Sequence, residues 1–154
     1  MGVTDLKVLF LDFDGVLNTE KYVKNCGYFG VVIDPEKLEN LKQIVDETGA
    51  KIVLTTSWRE HWGEPLHDET GDEIDRIFKS VGMEIFEKTP KLINREDEID
   101  QWLKTNSGVT SFAVLDDMFL SAPFLNDFFV KTSSHRGLDE QATRKALEIL
   151  NGVD

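Results

Sequence analysis

The chain has 154 residues, of which 40% are hydrophobic and 30% charged, as expected for a soluble globular protein with one sizeable core. Its 29 acidic and 17 basic side chains give a formal net charge of −12, which disfavours extended nucleic-acid binding and leaves a polynucleotide end open as a partner. No apolar run approaches the roughly 20 residues that span a bilayer. The sequence shows no export signal and has a single cysteine, Cys26, so we expect a cytoplasmic protein without membrane contact.

The first predicted element is a buried strand over residues 7–12 that ends in carboxylates. Asp12 and Asp14 are separated by one residue, so their side chains share one face of the strand, and Gly15 lets the backbone turn after them. Two close carboxylates repel unless a cation or a proton lies between them. Hard oxygen ligands without Cys or His nearby favour magnesium. The alternative is that these acids only cap the next helix.

The next predicted elements form a βαβ unit. Residues 16–33 are predicted to form an irregular excursion or a small hairpin that folds over the site as a flap. A helix is predicted from its cap Asp34 to Gly49, followed by a second buried strand over residues 51–54. This strand runs directly into three hydroxyl side chains: Thr55, Thr56 and Ser57.

The remainder of the chain continues the alternation of helices and strands. The predicted elements are a helix over 72–81, a short strand over 83–86, a helix from Asn94 or Arg95, strands over 111–115 and 128–130, and a helix over 139–150. This order predicts an α/β protein with a three-layer, Rossmann-like fold and a mostly parallel sheet of about five strands. We expect a single domain over residues 1–154 with no large cap insertion.

Three predicted strands end in polar side chains. Ligands of open α/β sheets bind beyond the carboxyl ends of the strands, so these three strand ends are predicted to meet at one edge. Each cluster alone also fits a simple helix cap. The polar residues are Asp12 and Asp14, then Thr55 to Ser57, then Asp116 and Asp117.

The segment Asp12-Phe13-Asp14-Gly15-Val16-Leu17 resembles the first motif of the haloacid dehalogenase (HAD) superfamily. The strand-end hydroxyls and the later acid pair resemble its second and fourth motifs in the correct order, over roughly residues 7–150. Thr-Ser-Trp-Arg after the second strand, Arg-x-x-Glu-Ile at a helix start and Leu-Asp-Asp at a strand end are similar to the HAD domains of RNA-repair proteins. This resemblance implies a HAD-like domain of a small, capless or minimally capped branch.

The resemblance implies a magnesium-dependent phosphatase that acts through an aspartyl phosphate. Asp12 would attack phosphorus, and Asp14 would act as general acid and base. Magnesium would be held by Asp12, by the backbone carbonyl of Asp14 and by Asp117, with Asp116 as an indirect ligand. The resemblance implies a reaction and no particular substrate. A non-catalytic phosphate-binding or regulatory domain and a polynucleotide-end phosphatase are the alternatives.

The resemblance also implies a hydroxyl and a cation that bind the phosphoryl group. Thr56 is the preferred hydroxyl donor, with Ser57 and then Thr55 as alternatives. Arg95, at a predicted helix start, is the preferred cation, and Lys91 and then Lys88 are the alternatives.

Three further residues lie close to the predicted site in sequence. Gly15 is a candidate contact to the substrate. Arg59 fits either a substrate phosphate or a surface ion pair. Trp58 is interpreted mainly as a core residue, although its position also allows it to line the site.

Overall fold

The computed structural model describes residues 5–28 and 30–152, which contain one sheet of five parallel strands. The strands are β1 (Leu6–Leu11), β2 (Lys51–Leu54), β3 (Ile85–Lys88), β4 (Val109–Asp116) and β5 (Phe129–Lys131). Their order across the sheet is β3-β2-β1-β4-β5, so the strand that carries the first acids lies at the centre. The predicted α/β architecture with about five parallel strands is confirmed.

Helices cover both faces of this sheet. They are α1 (Glu20–Cys26), α2 (Pro35–Thr48), α3 (Glu69–Lys79), α4 (Arg95–Thr105) and α5 (Glu140–Asn151). Buried side chains of α2, α3 and α5 join one hydrophobic cluster, whereas those of α4 join the other. No helix in these described residues has the length and apolar character needed to cross a membrane.

The central strand divides the core because its side chains alternate between the two faces. Leu9 and Leu11 belong to the cluster that α2, α3 and α5 cover, and Val8 and Phe10 belong to the cluster under α4. Phe10 also makes an edge contact with Trp102 of α4, with ring centroids 5.6 Å apart. Each side chain buried in this way contributes about 1.5–3 kcal/mol. The strand β1 is therefore packed on both faces of the sheet.

The structure corrects several predicted elements. Of the two alternatives for residues 16–33, the hairpin is not found in the described residues 16–28 and 30–33, and the excursion contains the short helix α1, which Thr19 and Gly27 cap. The helix α3 begins at Glu69, earlier than the predicted residue 72, because the side chain of Asp68 caps it. The strand β3 ends at Lys88 and not at the predicted Phe86.

Candidate active site

Asp12 lies directly after β1 and is fixed by the backbone around it. Its amide donates to the carbonyl of Leu115 at 3.1 Å, which continues the pairing of β1 with β4. Its Oδ1 accepts a hydrogen bond from the amide of Phe13 at 2.9 Å, and the residue is only 7% exposed. The carboxylate is thus preorganised at the carboxyl edge of the central strand.

Three carboxylates converge at this edge. Oxygen atoms of Asp12, Asp116 and Asp117 all lie within 4.8 Å of one another. Burial, followed by the negative charge of Asp116, raises the pKa of Asp12 to about 7, although Arg95 opposes this shift. Burial and Asp116 also raise the pKa of Asp117. A cation or a proton between these oxygens would relieve the repulsion.

The side chain of Arg95 brings a positive charge to this cluster. As the first residue of α4, it donates from Nη1 to Oδ2 of Asp116 at 2.7 Å, and Oδ2 of Asp12 lies 3.5 Å away. Its Nε is buried and finds no hydrogen-bond partner among the described residues. A buried donor without a partner is costly, so this Nε–H is suited to an incoming anion.

The three carboxylates fit a magnesium ion. Magnesium takes oxygen ligands and commonly uses one or two carboxylates together with substrate phosphate oxygens. One guanidinium does not balance three buried or half-buried acids. Burial, followed by the negative charge of Asp116, raises the pKa values of Asp12 and Asp117. The cluster does not include the carboxylate of Asp14, so a role for Asp14 as a ligand would fall to its backbone carbonyl, as predicted.

The carboxylate of Asp14 is held by two side-chain donors. Asn18 donates from Nδ2 to Oδ1 at 3.0 Å, and Trp58 donates from Nε1 to Oδ2 at 3.2 Å. The buried Asn18 also accepts from the amide of Gly15 and donates to the carbonyl of Val32, which joins the flap to the site. Asn18 was not among the predicted site residues. Trp58, predicted mainly as a core residue in a position that also allows it to line the site, packs against the core and lines the cleft.

Gly15 allows β1 and the acid pair of β4 to approach closely. Its φ angle is +84°, and an added Cβ would lie 2.2 Å from Oδ2 of Asp117. Its carbonyl accepts a hydrogen bond from the hydroxyl of Thr132 at 2.7 Å. A larger residue would displace Asp117 and strain the turn, so this glycine shapes the cluster.

The predicted hydroxyls lie at the end of β2. Thr56 is buried and accepts a hydrogen bond from the amide of Trp58 at 3.3 Å, which leaves its own hydroxyl proton free to donate. Thr55 is fully buried, and its Oγ1 has no partner in the part of the chain that the structure describes. Ser57 is exposed and begins a 3-10 helix over Ser57–His61.

Arg59 has a structural role, which corrects both predictions for it. It is buried, and its Nη2 pairs with Oε2 of Glu98 at 2.7 Å. Its other N–H groups donate to the backbone carbonyls of Thr55, Thr56, Thr89 and Pro90. The guanidinium has five donors, and these contacts use them all. Arg59 therefore forms a buried ion pair and is not available to a substrate phosphate.

Lys91 does not lie at the cluster. Its side chain is 70% exposed and pairs with Glu60 at 3.2 Å. Of these two candidates for the cation that binds the phosphoryl group, Arg95 lies at the cluster, in contact with Asp12 and Asp116. The helix start at Arg95 directs its side chain to the end of β4, whereas Lys91 precedes the helix.

The fold and the edge cluster together define a HAD-like α/β domain, with acids from β1 and β4 and hydroxyls from β2 at one edge of a parallel sheet. Over residues 8–143 the chain matches the family described as the HAD domain in Swiss Army Knife RNA repair proteins. The chain belongs to this family, which confirms the predicted resemblance. Neither a curated protein nor a solved structure matches the chain significantly.

Proposed function

We propose that this protein is a magnesium-dependent phosphomonoester hydrolase that acts through an aspartyl phosphate on Asp12. The main support is the cluster of Asp12, Asp116 and Asp117 with Arg95 at the carboxyl edge of the sheet. Membership of a HAD family supports phosphatase-like chemistry in the same direction.

In the first step, an oxygen of the Asp12 carboxylate attacks the phosphorus atom. The bond from phosphorus to the leaving oxygen breaks as the new bond to Asp12 forms, and Asp14 donates a proton to the leaving oxygen. Asn18 and Trp58 hold the Asp14 carboxyl group in one orientation for this transfer. This step releases the alcohol and leaves a phosphorylated Asp12.

In the second step, water attacks the phosphorus of the aspartyl phosphate. Asp14, now ionised, removes a proton from this water, and the bond between phosphorus and Asp12 breaks. Inorganic phosphate leaves, Asp12 is again a carboxylate and Asp14 again carries its proton.

The reaction concentrates negative charge at an edge that is already acidic. Arg95 would donate to phosphoryl oxygens through its buried Nε–H, and Thr56 through its hydroxyl. Asp12, the Asp14 carbonyl and Asp117 would hold magnesium. When bound, magnesium would supply positive charge that favours the ionised form of Asp12 and orients the phosphoryl group.

The family supports a substrate class as well. Its description as a domain of RNA repair proteins supports a phosphorylated polynucleotide end as the substrate. The cleft beside Asp14 has a volume of about 700 Å³, and residues from the short flap, including Val23 and Tyr28, line one side of it. A flap of this size leaves room in the cleft for the end of a polynucleotide.

The proposal is tested by turnover of p-nitrophenyl phosphate with and without magnesium. We expect activity that requires magnesium and that Asp12→Asn abolishes. Asp127→Asn removes an exposed carboxylate on the loop before β5, outside the cluster, and is expected to retain activity. Wild-type turnover no greater than that of Asp12→Asn would contradict the proposal. In that case, retained binding of phosphate analogues would favour the non-catalytic alternative.

A further inference from the structure

A basic cavity lies at the carboxyl end of β5, next to the N-terminus of α5. Its volume is about 360 Å³, and three cationic side chains, Lys131, Arg136 and Lys145, line it. The acidic residue in its lining is Asp139, which caps α5 and lies 3.9 Å from Arg136. The lining thus carries three positive charges and one negative charge, in a chain whose formal net charge is −12.

This basic cavity shares a wall with the candidate active site. The amide of Thr132 donates to the carbonyl of Asp116 at 2.9 Å, and its hydroxyl donates to the carbonyl of Gly15 at 2.7 Å. The next residue, Ser133, lines the basic cavity, and Ser134 lines the cleft that contains Asp14. The basic cavity and the cleft are therefore lined by consecutive residues of the same segment.

The turn that carries Arg136 is well anchored. The amide of Arg136 donates to the carbonyl of Ser133 at 3.2 Å and to its hydroxyl at 3.1 Å. The amide of Gly137 donates to the same carbonyl at 2.7 Å, and the amide of Leu138 donates to the carbonyl of Val16 at 2.7 Å. The basic cavity is therefore built on backbone contacts to the segment that follows Asp14.

The cleft on the other side of Ser134 has the opposite charge. Asp14, Asp117 and Glu20 line it, together with Lys24. Additional phosphate groups of a substrate would be repelled by these acids and attracted by the neighbouring basic cavity. A second phosphate group is therefore expected to lie on the side of the basic cavity and not in the acidic cleft.

We propose that the basic cavity binds a second phosphate group of the same substrate molecule whose terminal phosphomonoester reacts at Asp12. This inference rests on the proposed function and adds a separate subsite to it. The ligand is a phosphate group whose oxygens contact one guanidinium and two ammonium groups. A second terminal phosphate and the phosphodiester of a polynucleotide end both provide it.

The experiment compares substrates that differ in the second phosphate alone. Adenosine phosphorylated on both the 3′ and the 5′ hydroxyl has a second phosphate whichever one reacts, and the two adenosine monophosphates are its controls. A dinucleotide with a terminal phosphate provides a phosphodiester instead. We expect a KM at least about fivefold lower for one or both of the substrates with two phosphates than for the monophosphates. The substrate whose KM is lower, the bisphosphate or the dinucleotide, identifies whether the second phosphate is a terminal phosphate or a phosphodiester.

Variants of the basic cavity test whether this gain arises there. We expect Arg136→Gln and Lys145→Gln each to raise the KM of the preferred two-phosphate substrate about threefold, without changing the KM of the monophosphates. Arg144→Gln is the matched control, because Arg144 is the neighbouring base on α5, pairs with Glu140 and does not line the basic cavity. Equal KM values for one-phosphate and two-phosphate substrates would overturn the proposal. An equal effect of Arg144→Gln would also overturn it.

Binding to Asp12→Asn protein separates this inference from the proposed function. Calorimetric titration of this variant with the adenosine bisphosphate and the monophosphates requires no turnover. Tighter binding of the bisphosphate that Lys145→Gln weakens would support the basic cavity even if the wild-type protein proved inactive. Active wild-type protein with no such preference would retain the proposed function and refute the second-phosphate subsite.

Discussion

Replacement of Asp12 by asparagine is expected to stabilise the metal-free protein at neutral and alkaline pH. Burial and Asp116 raise the pKa of Asp12 from 3.8 to about 7 in the folded chain. Between these two values the folded state retains a proton that the unfolded state has lost, so the wild-type free energy of unfolding falls as pH rises. The loss is about 1.4 kcal/mol per pH unit and reaches at most about 4 kcal/mol above pH 7. The substituted side chain cannot ionise and avoids this loss.

The assay is urea unfolding of both proteins in the presence of a chelator, from about pH 5 to about pH 8. The advantage of Asp12→Asn over wild type is expected to grow by roughly 3 kcal/mol across this range and to shrink when magnesium is added. Asp127→Asn controls for the change in net charge. An advantage that stays constant with pH would show that Asp12 ionises normally in the folded protein, and would refute the reasoning about the cluster.

Three other substitutions test the contacts around the site. Glu98→Gln leaves the charge of the buried Arg59 without its ionised partner, so the free energy of unfolding should fall by about 3 kcal/mol in urea unfolding. Gly15→Ala places a Cβ 2.2 Å from Oδ2 of Asp117, so calorimetry should detect weaker magnesium binding; unchanged affinity would contradict the geometry. Trp58→Phe removes the N–H donor to the proposed general acid. It should lower kcat about tenfold for alkyl phosphates and less for p-nitrophenyl phosphate, whose leaving group needs no proton.

The carboxyl edge of the sheet was predictable from the sequence because its parts follow simple rules. The buried strands are short apolar runs, and parallel strands bring their polar ends together. Asp12, Thr56 and Asp116 could therefore be assigned to one edge before their distances were known. The two acids and the glycine that follow β1 indicated that this strand ends at the site, whereas its central position in the sheet was not predicted.

Other features depend on the reach and direction of side chains, which sequence spacing does not define. Arg59 follows the hydroxyl cluster in sequence, yet its guanidinium turns back onto carbonyls and Glu98. Trp58 combines an apolar ring with an N–H donor; the ring favoured a core position, and the sequence did not indicate that the N–H group donates to Asp14. The helix α1 buries none of its residues, so it has no apolar stripe that could have predicted it.

The central claim is that Asp12 carries the phosphoryl group during turnover. The most direct measurement is mass spectrometry of Asp14→Asn protein quenched in acid during reaction with p-nitrophenyl phosphate and magnesium. This substrate needs no proton donor to form the intermediate, whereas removal of the general base slows its hydrolysis. We predict one added phosphoryl group on the peptide that contains Asp12. A phosphoryl group on another residue would contradict the account. Steady release of p-nitrophenol without an initial burst and without any phosphorylated peptide would also contradict it.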